Sequence, residues 1–225
     1  MPMNIAIDGP VGAGKSSIAD QVAARLNILH LDTGAMYRAM ALYVLRAGVD
    51  PQDEAQVAAV CEKADVQVRY QDGAQRTLLG DDDVTDLIRS GEVSAAASCV
   101  SRWPAVRERM VKAQRELAAR ADMLIDGRDI GTNVLVNAPV KIYLTAAAEE
   151  RARRRYQQNL EKGDNTPYEE VLSALNARDQ QDMTRKVNPL RQAEDAVLVD
   201  STNMTMAQVV DAIVAVVEDI YGRKA

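Results

Sequence analysis

One stretch near the start of the chain decides the fold: Gly9-Pro10-Val11-Gly12-Ala13-Gly14-Lys15-Ser16. Its spacing is G-x-x-x-x-G-K-[ST], in which the glycines let the backbone curl so that several N–H groups point at one anion. Lys15 can reach the β- and γ-phosphates of a nucleotide, and the Ser16 hydroxyl can bind Mg²⁺. The stretch, with Ser17, therefore predicts a P-loop that binds ATP and magnesium.

The sequence on either side of this loop supports that interpretation. Residues 3–8 form a short apolar run typical of a buried strand, and residues 16–26 have the apolar spacing of a helix. The helix would direct the positive end of its dipole at the phosphates. The alternative is a glycine-rich turn between a strand and a helix that binds no ligand, and the matching context argues against it.

The rest of the chain alternates strand and helix patterns. Apolar runs predict further strands at 28–31, 123–126, 140–144 and 196–199, and helical spacing predicts helices at 35–47, 51–63, from 92, from 104, 149–162, 168–184 and 206–221. Between 66 and 84, alternation around Asp72-Gly73 predicts a β-hairpin. We therefore expect an α/β fold with a parallel central sheet flanked by helices and a small β-rich insertion.

Composition excludes several classes of protein. The 225 residues include 27 Lys and Arg against 33 Asp and Glu, a net charge of −6, which is unfavourable for general nucleic-acid binding. No apolar run has the length of a membrane span, so we expect no membrane contact. Two cysteines, Cys61 and Cys99, and a single His30 favour a reducing, cytoplasmic location and argue against a zinc site.

Other P-loop classes fit less well. The N/T-K-x-D motif with which GTPases read guanine is absent, and motor or transport ATPases usually need longer chains. Isolated arginines after the loop suggest a small-molecule kinase.

Four further clusters carry a family resemblance. They are Asp32-Thr33-Gly34-Ala35-Met36-Tyr37-Arg38, Trp103-Pro104-Ala105-Val106-Arg107, Asp126-Gly127-Arg128-Asp129 and Arg178-Asp179-Gln180-Gln181-Asp182-Met183-Thr184-Arg185. With the P-loop, they make nearly the whole chain resemble the bacterial cytidylate kinases. Departures at Val11, Ser17 and Trp103 remove no charged or hydrogen-bonding group that the chemistry needs.

The resemblance implies an activity and a layout. The activity is transfer of the γ-phosphoryl group of ATP to CMP and dCMP, which gives the diphosphates. The layout is one P-loop kinase domain over 1–225, with an acceptor-binding insertion at about 64–98 and an arginine-rich lid at about 147–166. A kinase for UMP and CMP, or for another nucleoside monophosphate, is the nearest alternative, and a non-catalytic nucleotide sensor is the alternative from another class.

The resemblance also implies the acceptor site. Arg38 and Arg128 would bind the CMP phosphate, for which guanidinium groups suit bidentate hydrogen bonding. The base and pentose would contact Thr33, Tyr37, Ser98, Arg107, Asp129, Arg178, Asp182 and Arg185. A carboxylate at Asp129 can accept from the cytosine amino group but would meet the carbonyl oxygen of uracil.

Some of these assignments have alternatives. Asp129 could instead be a structural partner of a nearby arginine or an indirect partner of magnesium. Arg178, Asp182 and Arg185 are spaced i, i+4 and i+7, which predicts one helix face, but such a face is also typical of a surface ladder of ion pairs.

Transfer itself needs positioning and charge neutralisation more than proton removal, because the acceptor phosphate oxygen is already ionised near neutral pH. The residues expected to act in it are Lys15, Arg128, Asp129, Arg151, Arg154 and Arg155. The three lid arginines could instead form a solvated helix face. Asp126, at the end of a predicted strand, is the second magnesium candidate beside Ser16, although it could simply cap a turn. We expect a monomer whose partners are the nucleotides ATP, CMP and dCMP.

Overall fold

The computed structural model describes residues 2–222. Its strands are β1 (Asn4–Asp8), β2 (Leu29–Asp32), β3 (Val66–Gln71), β4 (Ala74–Leu79), β5 (Asp82–Asp83), β6 (Met123–Gly127), β7 (Val140–Thr145) and β8 (Val197–Asp200). Its helices are α1 (Lys15–Leu26), α2 (Thr33–Arg46), α3 (Glu54–Cys61), α4 (Gly91–Val100), α5 (Pro104–Ala118), α6 (Ala148–Glu161), α7 (Tyr168–Thr184) and α8 (Met206–Tyr221). Within this part of the chain, no helix is both long and apolar enough to cross a membrane.

The strands form two sheets, one of five strands in the order β2-β6-β1-β7-β8 and one of three in the order β3-β4-β5. In the larger sheet, β1 pairs with β7 in parallel, and β7 pairs in parallel with β8. The predicted α/β class with a parallel central sheet is confirmed.

The described residues cluster into two compact units. The first comprises residues 2–3 and 29–123, and the second comprises 4–28 and 124–222. The second unit contains the P-loop and the α6 region, and the first contains the smaller sheet. The assignment of 1–225 to one kinase domain, with its insertion and lid, stays a prediction.

The strand before the P-loop belongs to the core of the second unit. Ile5, Ala6 and Ile7 are fully buried, as expected of a strand inside a parallel sheet. Gly9 follows directly, and a β-carbon at this position would lie 1.9 Å from the carbonyl oxygen of Leu144 on β7. Only glycine allows the chain to leave the sheet here.

The predicted hairpin is present in the first unit, where β3 and β4 pair antiparallel. Asp72 and Gly73 both have positive φ, 53° and 79°, as a type I′ turn requires. The sequence did not predict β5, which adds two residues to the edge of β4.

Capping residues explain where two helices begin. Asp32 accepts a hydrogen bond from the backbone of the next turn, so α2 starts at Thr33, two residues before the predicted boundary. Asp53 does the same for α3, which starts at Glu54 and not at the predicted residue 51. Helix α5 begins at Pro104, as the proline predicted.

Candidate active site

The lysine of the P-loop is buried in the second unit. Its ammonium group donates to the carbonyl oxygen of Pro10 over 2.7 Å, and the side chain is almost inaccessible. Burial, with the Arg128 guanidinium acting in the same direction, lowers the pKa of Lys15 to about 7 against the opposing charges of Asp126, Asp182 and Asp8. In the free protein, the side chain of Lys15 therefore changes from charged to neutral near neutral pH.

The two magnesium candidates are neighbours. The Ser16 hydroxyl donates to Oδ2 of Asp126 over 2.9 Å, which places two hard oxygen donors side by side at the start of α1. Among residues 2–222, no group of three or more His, Cys, Asp or Glu could hold a metal ion. A pair of oxygens fits Mg²⁺ better than a metal that needs a full protein cage, because Mg²⁺ in phosphotransferases takes other ligands from phosphates and water.

The side chain of Arg128, which follows the end of β6, is oriented by the carboxylate of Asp182. Its Nε donates to Oδ2 of Asp182 over 2.9 Å. Burial acts to lower the pKa of Arg128, but the nearby charges of Asp182, Asp126 and Asp179 outweigh it and raise that pKa above its usual value. The guanidinium is permanently charged and held in one direction, as recognition of a phosphate requires.

Asp129 is almost fully buried, and its side chain contacts Arg185 and Asn133 in the second unit. Its Oδ1 accepts from Arg185 over 2.9 Å, and its Oδ2 accepts from the side-chain amide of Asn133 over 3.0 Å. The arginine contact that the sequence left as an alternative is therefore present. An ionised carboxylate offers about four acceptor positions, so it can also serve a ligand.

The prediction that Arg178, Asp182 and Arg185 share one helix face is wrong for Arg185. Helix α7 ends at Thr184, and Arg185 has an extended backbone with ψ 143°. Its Nε donates to the carbonyl oxygen of Asn188 over 2.7 Å, which folds the segment after the helix back on itself. The ion pair with Asp129 therefore depends on this turn and not on helical spacing. Arg178, partly buried, and Asp182, buried, do lie on α7.

The three lid arginines on α6 have different surroundings. Arg151 is buried and donates to the carbonyl oxygens of Val11 and Ala146. Arg154 donates to the carbonyl oxygen of Ser201 over 2.8 Å, whereas Arg155 is exposed. The predicted arginine-rich helix is present, but its members are not equivalent in the free protein.

In the first unit, Asp32 organises the start of α2. One carboxylate oxygen caps the helix at the amide of Ala35, and the other accepts from Arg38 over 2.8 Å. Thr33, the first residue of α2, is buried. Asp32 therefore places two residues of the predicted acceptor site, Thr33 and Arg38, on one rigid turn.

Three other predicted residues of the first unit lie on elements that contact one another, since α2 packs against α4 and α5. The Arg107 guanidinium lies 5.7 Å from the ring centre of Tyr37, within the range of a cation–π contact. Arg107 is buried and also donates to the carbonyl oxygen of Ser101. Ser98 is half-buried on α4.

The smaller sheet holds this helix start through Gln75 on β4. The Gln75 side chain accepts from the amide of Asp32 over 2.8 Å and donates to its carbonyl oxygen over 3.3 Å. Sequence reasoning missed Gln75, because nothing in a hairpin pattern distinguishes one polar residue that makes this contact from its neighbours. It also gave Asp32 no role of its own, although an aspartate before a helix is a capping signal.

Asp8, the last residue of β1, is another site residue that the sequence did not single out. Its two carboxylate oxygens accept from the amides of Ile130 and Gly131, each over 2.7 Å. Burial is the main cause that raises its pKa to about 6, and the negative charge of Asp129 acts in the same direction. Asp8 thereby holds the wide turn Ile130–Val134 that follows Asp129.

Comparisons with known proteins agree with this geometry. The sequence model of the cytidylate kinase family matches residues 5–219. A cytidylate kinase of Caldicellulosiruptor bescii is 48% identical over 211 residues, which cover 94% of this chain and 93% of that protein. A cytidylate kinase of Mycobacterium avium is 50% identical over 208 residues, covering 92% and 91%.

A solved structure shows a similar fold. An uncharacterised protein from Eubacterium ventriosum superposes with a TM-score of 0.53 at 14% identity, over 99% of this chain and 100% of that one. Similarity at that identity concerns the fold alone.

Proposed function

The chain belongs to the cytidylate kinase family and transfers the γ-phosphoryl group of ATP to CMP. We propose the following roles for its residues in that transfer. Lys15 and the loop from Gly9 to Ser17, through the backbone amides that follow Val11, bind the donor phosphates. The relatives do not favour UMP as the acceptor. dCMP is proposed as a second acceptor, because CMP and dCMP present the same base and phosphate.

The acceptor phosphate is bound by Arg38 and Arg128. Each guanidinium is already held by a carboxylate, Asp32 or Asp182, so little side-chain entropy is lost when the phosphate arrives. Two parallel N–H groups from each arginine suit the phosphate oxygens.

The base is recognised by Asp129, with Arg185, Arg107 and Thr33. Asp129 keeps its charge oriented through the ion pair with Arg185, and an unprotonated carboxylate accepts from the cytosine amino group. A carbonyl oxygen at that place, as in uracil, would face a carboxylate of like partial charge. Ser98, Tyr37, Arg178 and Asp182 complete the contacts to the nucleotide.

The chemistry is in-line transfer without a general base, since the attacking oxygen of CMP is already ionised. Lys15 and Arg128 neutralise charge at the donor and acceptor phosphates, and Arg151, Arg154 and Arg155 add positive charge as α6 closes on ATP and excludes water. Mg²⁺, held by Ser16 and Asp126 when bound, supplies further charge neutralisation at the phosphates.

One observation carries the proposal. The hydroxyl of Ser16, next to Lys15, donates over 2.9 Å to Asp126, two residues before Arg128, and the Arg128 charge helps to lower the pKa of Lys15. The lysine of the donor loop and the arginine proposed for the acceptor phosphate therefore share one electrostatic environment, as transfer between two phosphates requires.

The test is an ADP-release assay with CMP, dCMP, UMP and AMP as acceptors. We expect turnover with CMP and dCMP and far slower turnover with UMP and AMP. Equal kcat/KM for CMP and UMP would contradict the role of Asp129, and ATP binding without any ADP release would indicate a sensor.

We also propose a cytoplasmic monomer. Both cysteines are free thiols, which suits a reducing compartment. Light scattering of the purified protein tests the state of assembly.

A further inference from the structure

Asp179 on α7 is a buried residue to which the proposed reaction gives no role. Its Oδ1 accepts from the amide of Val11 over 3.0 Å, and its Oδ2 accepts from the Arg151 guanidinium over 2.5 Å. Only 7% of Asp179 and 6% of Arg151 is exposed, so this ion pair is shielded from solvent. A charge pair inside a protein is costly unless its geometry is good, which makes its presence beside the P-loop informative.

The pair controls both polar groups of one P-loop residue. The Val11 amide donates to Asp179, and the Val11 carbonyl oxygen accepts from Arg151 over 2.8 Å. The Val11 side chain packs against the buried cluster of Ala152, Val171 and Leu175, and a β-carbon on Gly12 would lie 3.4 Å from the Arg151 β-carbon. The backbone at Val11 therefore cannot rotate independently of α6 and α7.

This orientation affects the phosphate cradle. The Val11 amide points at Asp179 and cannot also point at a phosphate, so the cradle must be built from the amides that follow it. Pro10, one residue earlier, provides the carbonyl oxygen that Lys15 contacts. A rotation of the backbone at Val11 would therefore displace both the Pro10 carbonyl oxygen, which Lys15 contacts in the free protein, and the phosphate cradle.

The same helix also holds the acceptor arginine. Asp182 lies three residues after Asp179, so the two carboxylates are neighbours on the surface of α7. Asp182 accepts from Arg128, whereas Asp179 accepts from the P-loop. One rigid helix thus contacts the donor loop at one position and the acceptor arginine at the next turn, and all of these residues belong to the second unit.

We infer that Asp179 is a positioning residue that sets the P-loop in register with Arg128, so that the two phosphates meet in line. The inference rests on the proposed function of Arg128 and Lys15. Asp179 contacts neither nucleotide, and it acts through Val11 and Arg151. A misplacement of reacting groups by about 1 Å can cost about a hundredfold in rate, so a residue in this position has a measurable kinetic effect.

The first experiment uses Asp179→Asn. The amide keeps an oxygen for Val11 but presents no charge to Arg151. We expect an ATP dissociation constant raised about tenfold, a kcat lowered about a hundredfold and a CMP dissociation constant nearly unchanged, since no CMP contact is removed. The matched control is Asp211→Asn, which breaks an exposed ion pair with Arg25 in the same unit and should leave all three constants unchanged.

The kinetic pattern separates positioning from a purely structural role. Circular dichroism and active-site titration first measure the folded fraction, and the constants are referred to that fraction. A folded Asp179→Asn protein with wild-type kcat and ATP affinity overturns the inference while the wild type still makes CDP. Failure of the proposed function would instead appear in the wild type, as absence of CDP.

A second measurement needs no variant. Amide hydrogen exchange of the wild type should show the Val11 amide protected without nucleotide and equally protected with ATP and CMP. The amides of Gly12, Ala13 and Gly14 should gain protection only with ATP. Exchange of the Val11 amide as fast as theirs in the free protein would contradict the inference, even if Asp179→Asn does not fold.

Discussion

The ammonium group of Lys15 lies 2.7 Å from the carbonyl oxygen of Pro10 and donates to it. Donor and acceptor belong to the same loop, so in the free protein the P-loop itself supplies the hydrogen-bond acceptor of its lysine. The carbonyl is a weaker partner than a phosphate, and burial lowers the pKa of Lys15 to about 7. ATP must therefore replace a neutral partner by an anionic one.

Proton uptake on ATP binding follows from this contact. At pH 8 most free protein has a neutral Lys15, and the triphosphate charge raises the pKa of Lys15 again, so binding takes up most of one proton. Calorimetry of ATP binding in buffers of different ionisation enthalpy measures that uptake. In Lys15→Arg, whose side chain stays charged, the uptake should vanish. Uptake that persists in Lys15→Arg would mean that another group titrates.

Magnesium dependence tests the pair Ser16 and Asp126. Asp126→Asn removes a charged oxygen donor, and we expect the Mg²⁺ concentration for half-maximal rate to rise about tenfold, since a hydrogen bond or ligand to a charged group is worth about 1.5–3 kcal/mol. Ser16→Thr, which keeps the hydroxyl, should behave like the wild type. An unchanged Mg²⁺ titration of Asp126→Asn would exclude this carboxylate as a ligand.

Base selectivity tests Asp129. Asp129→Ala leaves nothing to accept from the cytosine amino group and nothing to repel uracil, so the ratio of kcat/KM for CMP to that for UMP should fall at least about tenfold. Steady-state assays with both monophosphates measure the ratio. Asp82→Asn, which affects an exposed pair with Arg46, is the control. A ratio unchanged in Asp129→Ala would assign discrimination to other residues.

The stability of the protein should depend on pH through Asp8. Burial raises the pKa of Asp8 to about 6 from 3.8, so the fold prefers the neutral carboxyl group. The stabilisation of the fold by the neutral Asp8 side chain is complete below pH 3.8 and is lost as the pH rises through 6. This loss changes the free energy of unfolding by about 3 kcal/mol. The difference in that free energy between wild type and Asp8→Asn should decline by this order from pH 4 to 7. Denaturant titrations at several pH values measure it, and a constant difference would contradict the raised pKa.

Glycine at position 9 should be indispensable for folding. Gly9→Ala places a β-carbon 1.9 Å from the Leu144 carbonyl oxygen, which is backbone and cannot move aside, so we expect no stable folded protein. Gly91→Ala meets nothing within 4 Å at the start of α4 and should change stability by at most about 1 kcal/mol. Thermal unfolding of both variants measures the contrast, and a stable Gly9→Ala protein would show that the strand can shift.

Sequence reasoning worked best where one local segment holds the information. The P-loop, the Asp72-Gly73 turn and the helix that begins at Pro104 each depend on the backbone preferences of a few adjacent residues, and all three are present. The α/β class followed from the alternation of such segments.

Spacing along the chain was a poorer guide once a helix ended. Arg185 was expected on the face of α7, but it contacts Asp129 from the turn after the helix, where the Asn188 carbonyl oxygen holds it. Periodicity predicts neighbours only within one regular element, and Arg185 lies one residue beyond the end of α7 at Thr184, which the sequence had predicted correctly.

By itself, the sequence determined the P-loop, the alternating α/β fold and the residue types of a nucleotide kinase, because backbone preference and apolar periodicity act over a few residues. Only the tertiary structure decided which distant groups meet: Asp179 with Val11 across 168 residues, Asp8 with Ile130 across 122, and Gln75 with Asp32 across 43. Such contacts depend on how remote elements pack, and one buried carboxylate resembles any other in a sequence until the fold supplies its partner.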